Sequence, residues 1–343
     1  DGYPLRGEDL AAGSSLRIAG TRYAGAGEGG VIGAREAMRV MTGAPLPHGA
    51  DRVVMIERCE TIDDRLCARP HPGERPHVRV RASDFACGTA LLQSGDRLDP
   101  FALVSAAAAD VSSVTVWRRP RVRIVATGDE IAVPGTASIA PHLIPDSLSL
   151  ALAAFCTQWG AAEVQRTRVP DDPAEILSMA IAAFCDSDLL VLVGGAARGD
   201  RDHCRNALKA LGLDLVFADL AIKPGKPVWF GRLGALAILG LPGNPPAALT
   251  VARLFLAPLL VGLGGSKPAS ALRWVMRPTV RQAAAYGPRE AFLCAAGADG
   301  VVQILDRQEA SGQALLGRSR QLVRRAANAP VVEPGELVPT LSL

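Results

Sequence analysis

The sequence predicts a multidomain α/β plus β protein, with a central α/β domain between a β-rich N-terminal region and a small, barrel-like β domain after it. Three observations predict this. From Arg119 to about Gly265, strand-like apolar runs alternate with helical stretches of ten or more residues. Before that segment, and again from 266 onward, short runs of alternating apolar and polar residues are separated by Gly, Pro and Asp. Finally, 343 residues exceed the roughly 250–300 at which one hydrophobic core stops growing. The expected divisions are 1–81 (β-rich), 82–118 (linking), 119–265 (central) and 266–343 (C-terminal).

In the first region DRVVMIE and HVRVRA read as strands. The central region opens with the strand RVRIVA, which runs into TGDE. In LSLALAAFCTQW the apolar residues at 148, 151, 152 and 155 have helical spacing, which Gly160 ends. VQRTRV is a strand, and Asp172 followed by Pro173 caps and opens the helix AEILSMAIAAF. The continuous apolar run DLLVLV suits a strand covered on both faces. DHCRNALKALG then forms a helix ending at Gly212, LDLVFA and ALAILG form strands, and PAALTVARLFLAPLL is the last helix. This alternation predicts a mostly parallel sheet with helices on both faces. WVMRPTV, AFLCAA and VVQIL, with turns at GADG and EPGE, make the C-terminal domain.

Composition excludes several classes. Lys and Arg total 37 against 34 Asp and Glu, so a net charge of +3 argues for neither nucleic acid nor a membrane surface. The run LFLAPLLVGLGG is broken by Pro258 and glycines and falls short of the roughly 20 residues a membrane span needs. No secretory signal is visible; the chain opens at Asp1 without methionine, and a preceding piece is expected. Seven dispersed cysteines without paired spacing point to inert thiols in a reducing cytoplasm rather than to zinc.

In an open parallel sheet, ligands bind beyond the carboxyl ends of the strands. Three segments lie there: TGDE (127–130), GGAARGDRD (194–202) and LPGNP (241–245). Glycine lets backbone amides approach a phosphate, and a following helix adds the positive end of its dipole, so GGAARGD (194–200) and PGNP (242–245) look like anion-holding loops. Asp129, Glu130, Asp200 and Asp202 would repel a bare phosphate, a conflict that magnesium between carboxylate and phosphate oxygens resolves. In KPGKP (223–227) a stiff turn brings Lys223 and Lys226 together, at a cost in repulsion that an anion removes. MTGAPLPHGAD (41–51) is a rigid loop with Thr42 before a glycine.

The order DGYPLR, MTGAPLPHGAD, RPRVRIVATGDE, VPDDP, VLVGGAARGDRD, AIKPGKPVWFG, GLPGNPPAAL resembles the MoeA-type molybdenum insertases, which include the E domain of gephyrin. The resemblance runs from Asp1 to about Leu260 and continues more loosely beyond. It implies a central three-layer domain like those of MoaB and MogA, and conversion of adenylylated molybdopterin and molybdate to molybdenum cofactor with release of AMP. It also implies a homodimer whose cleft lies between the central domain of one subunit and the β-rich domain of the other, with further biosynthetic proteins as partners. Glu130 and Asp202 would then be the metal-side carboxylates, Lys223 and Lys226 the molybdate clamp, and Thr127, Gly128, Asp129, Gly194, Gly195, Gly199, Asp200, Pro242, Gly243 and Asn244 the substrate-binding residues along the pterin and nucleotide phosphates. Asp1, Thr42 and Asp171 match acidic or hydroxyl cleft positions, the first two from the partner subunit. Arg289, with Ser319, would complete the oxyanion site. The chain departs from the family pattern at Ala197, Ala247, Leu148 and Cys294, each a lost hydrogen-bonding group worth about 1 kcal/mol or more near an anion. An alternative is therefore a paralogue that carries the pterin nucleotide without inserting metal; a scaffold role finds no support in any added linker or domain.

Overall fold

The computed structural model describes residues 1–10, 14–69, 75–194, 203–298, 300–306, 308–309 and 312–343. The chain forms two compact units, 1–90 and 91–343.

The first unit is a six-stranded sheet built from β1 (Gly2–Leu5), β2 (Ser15–Arg22), β3 (Glu36–Val40), β4 (Arg52–Met55), β5 (Cys59–Ile62) and β6 (Arg65–Ala68), in the order β4-β1-β3-β2-β6-β5. Tyr3, Leu5, Leu16, Ala37, Val54 and Leu66 make its small core. DRVVMIE supplies β4 as expected, but HVRVRA forms no strand. His77 and Ala82 bracket it at φ +50° and +63°, a left-handed backbone that cannot continue a pleat.

The segment 82–118 also departs from the β-rich reading, because it holds the helix α1 (Pro100–Ala108). Asp99 accepts from the amides of Phe101 and Ala102 at 3.0 and 2.9 Å, Pro100 sits in the first turn, and alanine fills the remainder. Cap and propensity therefore decide the local structure where apolar alternation was weak. No residue of α1 is buried, and Phe101, Leu103 and Val104 are exposed.

The central sheet comes from β7 (Arg121–Thr127), β10 (Glu163–Val169), β11 (Leu189–Val193), β12 (Asp214–Ala218), β14 (Trp229–Leu233) and β15 (Leu236–Leu241), in the order β10-β7-β11-β15-β14-β12. The short β8 (Ile131–Ala132) and β9 (Ile144–Pro145) pair outside it. β10, β7, β11 and β15 run parallel, whereas β14 pairs antiparallel with both β15 and the edge strand β12. β14 is a strand the sequence reading does not include; its Trp229 is fully buried. A side chain at Gly240, its cross-strand partner, would lie 2.0 Å from the indole nitrogen, so a glycine is required there.

The period of two in each strand divides the core. Ile124, Leu189 and Val191 face a layer that contains Leu148, Leu152 and Cys156 of α2 (Ser147–Gln158), with Ala248, Val251 and Leu260 from the last helices. Val125, Leu190 and Leu192 face the opposite layer, formed by Ile176, Ala180 and Ala183 of α3 (Pro173–Asp186) and by Cys204 and Leu208 of α4 (His203–Ala210). All of β11 is buried, as DLLVLV requires, and Asp172 caps α3 through the amide of Ala174 at 2.8 Å.

The last helical stretch, α5 (Pro245–Val251), a π-helical segment (Ala252–Leu256) and α6 (Ala257–Leu263), continues through Pro258 rather than breaking there. The π-helical segment comes immediately before the proline, a usual place for such a bulge. By length and composition Pro245–Leu263 could cross a membrane, but 61% of it is buried inside the protein, as befits a core helix.

The C-terminal sheet has the order β13-β17-β19-β20-β16, with β18 beside β17. Its strands are β13 (Ile222–Lys223), β16 (Val275–Pro278), β17 (Glu290–Ala298), β18 (Val301–Ile304), β19 (Gln321–Arg325) and β20 (Leu337–Ser342), and the short α7 (Gln313–Leu316) lies between β18 and β19. β13 belongs to the central segment in sequence but pairs in parallel with β17, Ile222 opposite Glu290 and Lys223 opposite Ala291.

Candidate functional site: a cationic cavity and an acidic rim

The β13–β17 pairing draws the lysine turn onto the C-terminal domain. Lys223 ends β13, and the turn passes through Gly225 at φ +105°. A Cβ there would meet Val251 of α5 at 2.3 Å, so both the backbone conformation and the close helix demand glycine. Arg289 stands immediately before β17, one residue ahead of the partner of Ile222. Lys223, Lys226 and Arg289 thus line one cavity of about 330 Å³, closed on another side by Pro242 and Asn244 of the PGNP loop. Asn244 caps α5 by accepting from the amide of Ala247 at 3.3 Å.

Two positions where the chain departs from the family pattern, Ala247 and Cys294, line this cavity. Gln308 clamps the backbone of Cys294, accepting from its amide at 2.9 Å and donating to its carbonyl at 2.8 Å. Burial pushes the Cys294 thiol up, against an opposing hydrogen bond with Ser319. Ser319 is itself buried and donates to the Leu315 carbonyl at 2.9 Å, so it reaches the thiol and does not line the cavity.

Carboxylates gather beyond the parallel strands. The register of β7 and β10 sets Thr127 opposite Val169, which brings TGDE beside VPDD. The amide of Gly128 donates to Val169 at 3.3 Å, and that of Asp171 to the Asp129 carboxylate at 3.3 Å. Asp129 and Glu130 are exposed. Gly194, at φ +93°, follows β11 so closely against β7 that a Cβ would meet the Thr127 carbonyl at 2.6 Å. A Cβ on Gly243 would in turn lie 3.6 Å from Gly194, so the PGNP loop borders the same strand ends. Gly195, Gly199, Asp200 and Asp202, with Ala197, lie outside the described residues. Among the described residues no three His, Cys, Asp or Glu side chains group as a metal site.

In the N-terminal unit, the β1–β3 pairing of Gly2 with Val40 brings Asp1 and Thr42 together. The Asp1 carboxylate accepts from the Thr42 amide at 2.8 Å and from its hydroxyl at 3.1 Å. The sequence names both residues separately; the sheet makes them one polar group.

Sequence reasoning does not single out Tyr286, Gln308 or Glu309, which also line the cavity. Tyr286 is three residues from Arg289, a signal of proximity; Gln308 carries none. A further signal is lysine scarcity: of the four lysines in the chain, two flank one Pro-Gly turn.

Residues 1–109 match the family model for the MoeA N-terminal region (domain I and II), and residues 123–261 match that for a probable molybdopterin binding domain. A molybdopterin molybdenumtransferase from Nostoc sp. is 34% identical over 275 residues, 77% of this chain and 62% of that protein. Its counterpart from Synechococcus elongatus is 32% identical over 274 residues, 76% of this chain and 67% of that protein. The chain therefore spans about two thirds of the length of these curated relatives. A solved molybdopterin biosynthesis MoeA protein from Pyrococcus horikoshii superposes with a TM-score of 0.80 at 26% identity, covering 100% of this chain and 86% of the other. With both regions matched and the architecture shared, the chain belongs to the MoeA-type molybdopterin molybdenumtransferase family.

Proposed function

We propose that this protein is a molybdenum insertase, converting adenylylated molybdopterin and molybdate to molybdenum cofactor with release of AMP. The observation that carries the reading is the β13–β17 pairing, which turns Lys223, Lys226 and Arg289 toward one cavity beside the PGNP loop. Three cations around a small cavity suit a compact dianion, and molybdate is one. The glycine-lined strand ends at Thr127, Gly128, Gly194 and Gly243 leave backbone free to approach the pterin and nucleotide phosphates. Water cleaves the P–O–P bond, giving AMP and the pterin phosphate, and the two dithiolene sulfurs bind the metal of the oxyanion, displacing one oxo group that leaves as water with two protons.

Asp129, Glu130 and Asp171 offer oxygen donors of the kind a hard cation such as magnesium takes, although among the described residues they do not by themselves group as a metal site. Glu130 with Asp202 would hold it, and when bound it would screen phosphate charge from the carboxylates. Asp1 and Thr42 would enter the cleft from the partner subunit of a homodimer. The apolar, unburied face of α1 supports such an association. Seven cysteines, none of them in a disulfide, support a reducing cytoplasm, where other proteins of cofactor biosynthesis would deliver and accept the pterin.

The test incubates the protein with adenylylated molybdopterin, magnesium and molybdate, and follows AMP release and reconstitution of an apo-molybdoenzyme. Molybdate-dependent AMP release with reconstitution is expected. Tight binding without release would assign the chain to carriage of the pterin nucleotide instead.

A further inference from the structure

Lys223 faces a problem that the cavity solves without a carboxylate. It is exposed, has a flexible four-carbon stem, and shares its turn with a second cation. An acidic partner would order the ammonium but neutralise it and repel an incoming oxyanion. Among the described residues, no carboxylate lies within 4 Å of Lys223 or Lys226, although Glu309 lines the same cavity. What Lys223 does have is a ring. Its Nζ lies 5.7 Å from the centroid of Tyr286, inside the roughly 6 Å range over which an aromatic face attracts a cation.

The ring is itself fixed. Tyr286 is half-buried, packs against the C-terminal core, and its amide donates to Ala329 at 2.8 Å. It lies in the loop that carries Arg289 to the cavity. We propose that Tyr286 is a positioning residue: its ring face holds the Lys223 ammonium at the cavity while leaving its charge available to the oxyanion. This rests on the oxyanion reading above. A cation–π contact stabilises a charge without cancelling it, and an ordered lysine loses less freedom when an anion arrives.

The experiment compares wild type, Tyr286→Phe and Tyr286→Leu by calorimetric titration with molybdate and by the molybdate dependence of AMP release. Tyr286→Leu should weaken molybdate binding about 3- to 10-fold. The change should fall on KM for molybdate and not on kcat, while Tyr286→Phe, which keeps the ring, should restore wild-type affinity. If the leucine variant does not fold, Tyr286→Met, flexible and of similar bulk, takes its place. In the unliganded proteins the Lys223 ε-methylene protons should show an upfield ring-current shift that Phe preserves and Leu abolishes. Unweakened binding in the leucine variant, or an equal loss in the phenylalanine variant, overturns the role of the ring. A wild type that shows the ring-current shift but binds no molybdate overturns the oxyanion reading itself.

Discussion

The acidic rim and the cationic cavity share one compact unit but are assembled differently. Thr127, Asp129 and Asp171 meet because adjacent parallel strands end in register, a property of a single sheet. Lys223, Lys226 and Arg289 meet because a two-residue strand leaves the central segment to join another sheet, Ile222 pairing with Glu290, 68 positions along the chain. The two charge clusters thus arise from different strand pairings, although Glu309 also lines the cationic cavity. On the proposed reading the carboxylates would serve a hard cation and phosphates, and the ammonium and guanidinium groups a free oxyanion. The comparison implies that the two regions should fail in different ways when altered.

The largest effect is expected from Lys226→Ala. It should lower molybdate-dependent AMP release by about 100-fold, the scale for losing a group that stabilises an oxyanion. Affinity for the pterin nucleotide should stay within about two-fold, since the lost charge faces the cavity and not the strand ends. A matching loss of nucleotide affinity would merge the two regions into one. Glu130→Ala should do the converse, raising the magnesium concentration for half-maximal activity by about 10-fold while leaving the molybdate requirement in place. An unaltered magnesium titration would remove Glu130 from the metal side.

The smallest effect separates acidic chemistry from acidic structure. Asp188 lies at the other end of the same sheet, just before β11, and accepts from Arg118 at 2.7 and 2.9 Å and from the Arg121 amide at 2.7 Å. Partial burial raises its pKa, but the Arg118 hydrogen bonds and the Arg121 amide prevail and hold its carboxyl below the ordinary range. A lowered folded-state pKa makes this contribution present above about pH 4 and lost as pH falls through the folded value. Asp188→Asn should therefore cost about 1–2 kcal/mol in urea unfolding at pH 7, with the gap to wild type closing toward acid pH. Turnover of the folded variant should be kept. A gap that widened in acid would remove the charge-based account of this contact.

Much of the fold was legible because its signals are local. DLLVLV could only be a strand covered on both faces, and Asp172 with Pro173 could hardly be anything but a helix start. The misses have local causes too. HVRVRA alternates as a strand does, yet left-handed residues at His77 and Ala82 turn it away from any sheet. The apolar segment after Asp99 became a capped helix, and the run containing Trp229 became an antiparallel strand only because Gly240 leaves room for the indole. Within the site, glycines and carboxylates at strand ends could be named in advance, whereas Tyr286 and Gln308 could not, since neither stands in a recognisable turn or strand end.

By itself, then, the sequence determined the family, the alternation of strands and helices, and the chemical character of each loop. These depend on residue identity and spacing over a few residues, which steric preference and apolar periodicity read directly. Only the tertiary structure decided that the lysine turn belongs with Arg289, that Asp1 and Thr42 form one group, and that a tyrosine ring sits against Lys223. Those juxtapositions come from strand pairing across long loops, whose register is set by burial of whole faces and not by any residue at the site.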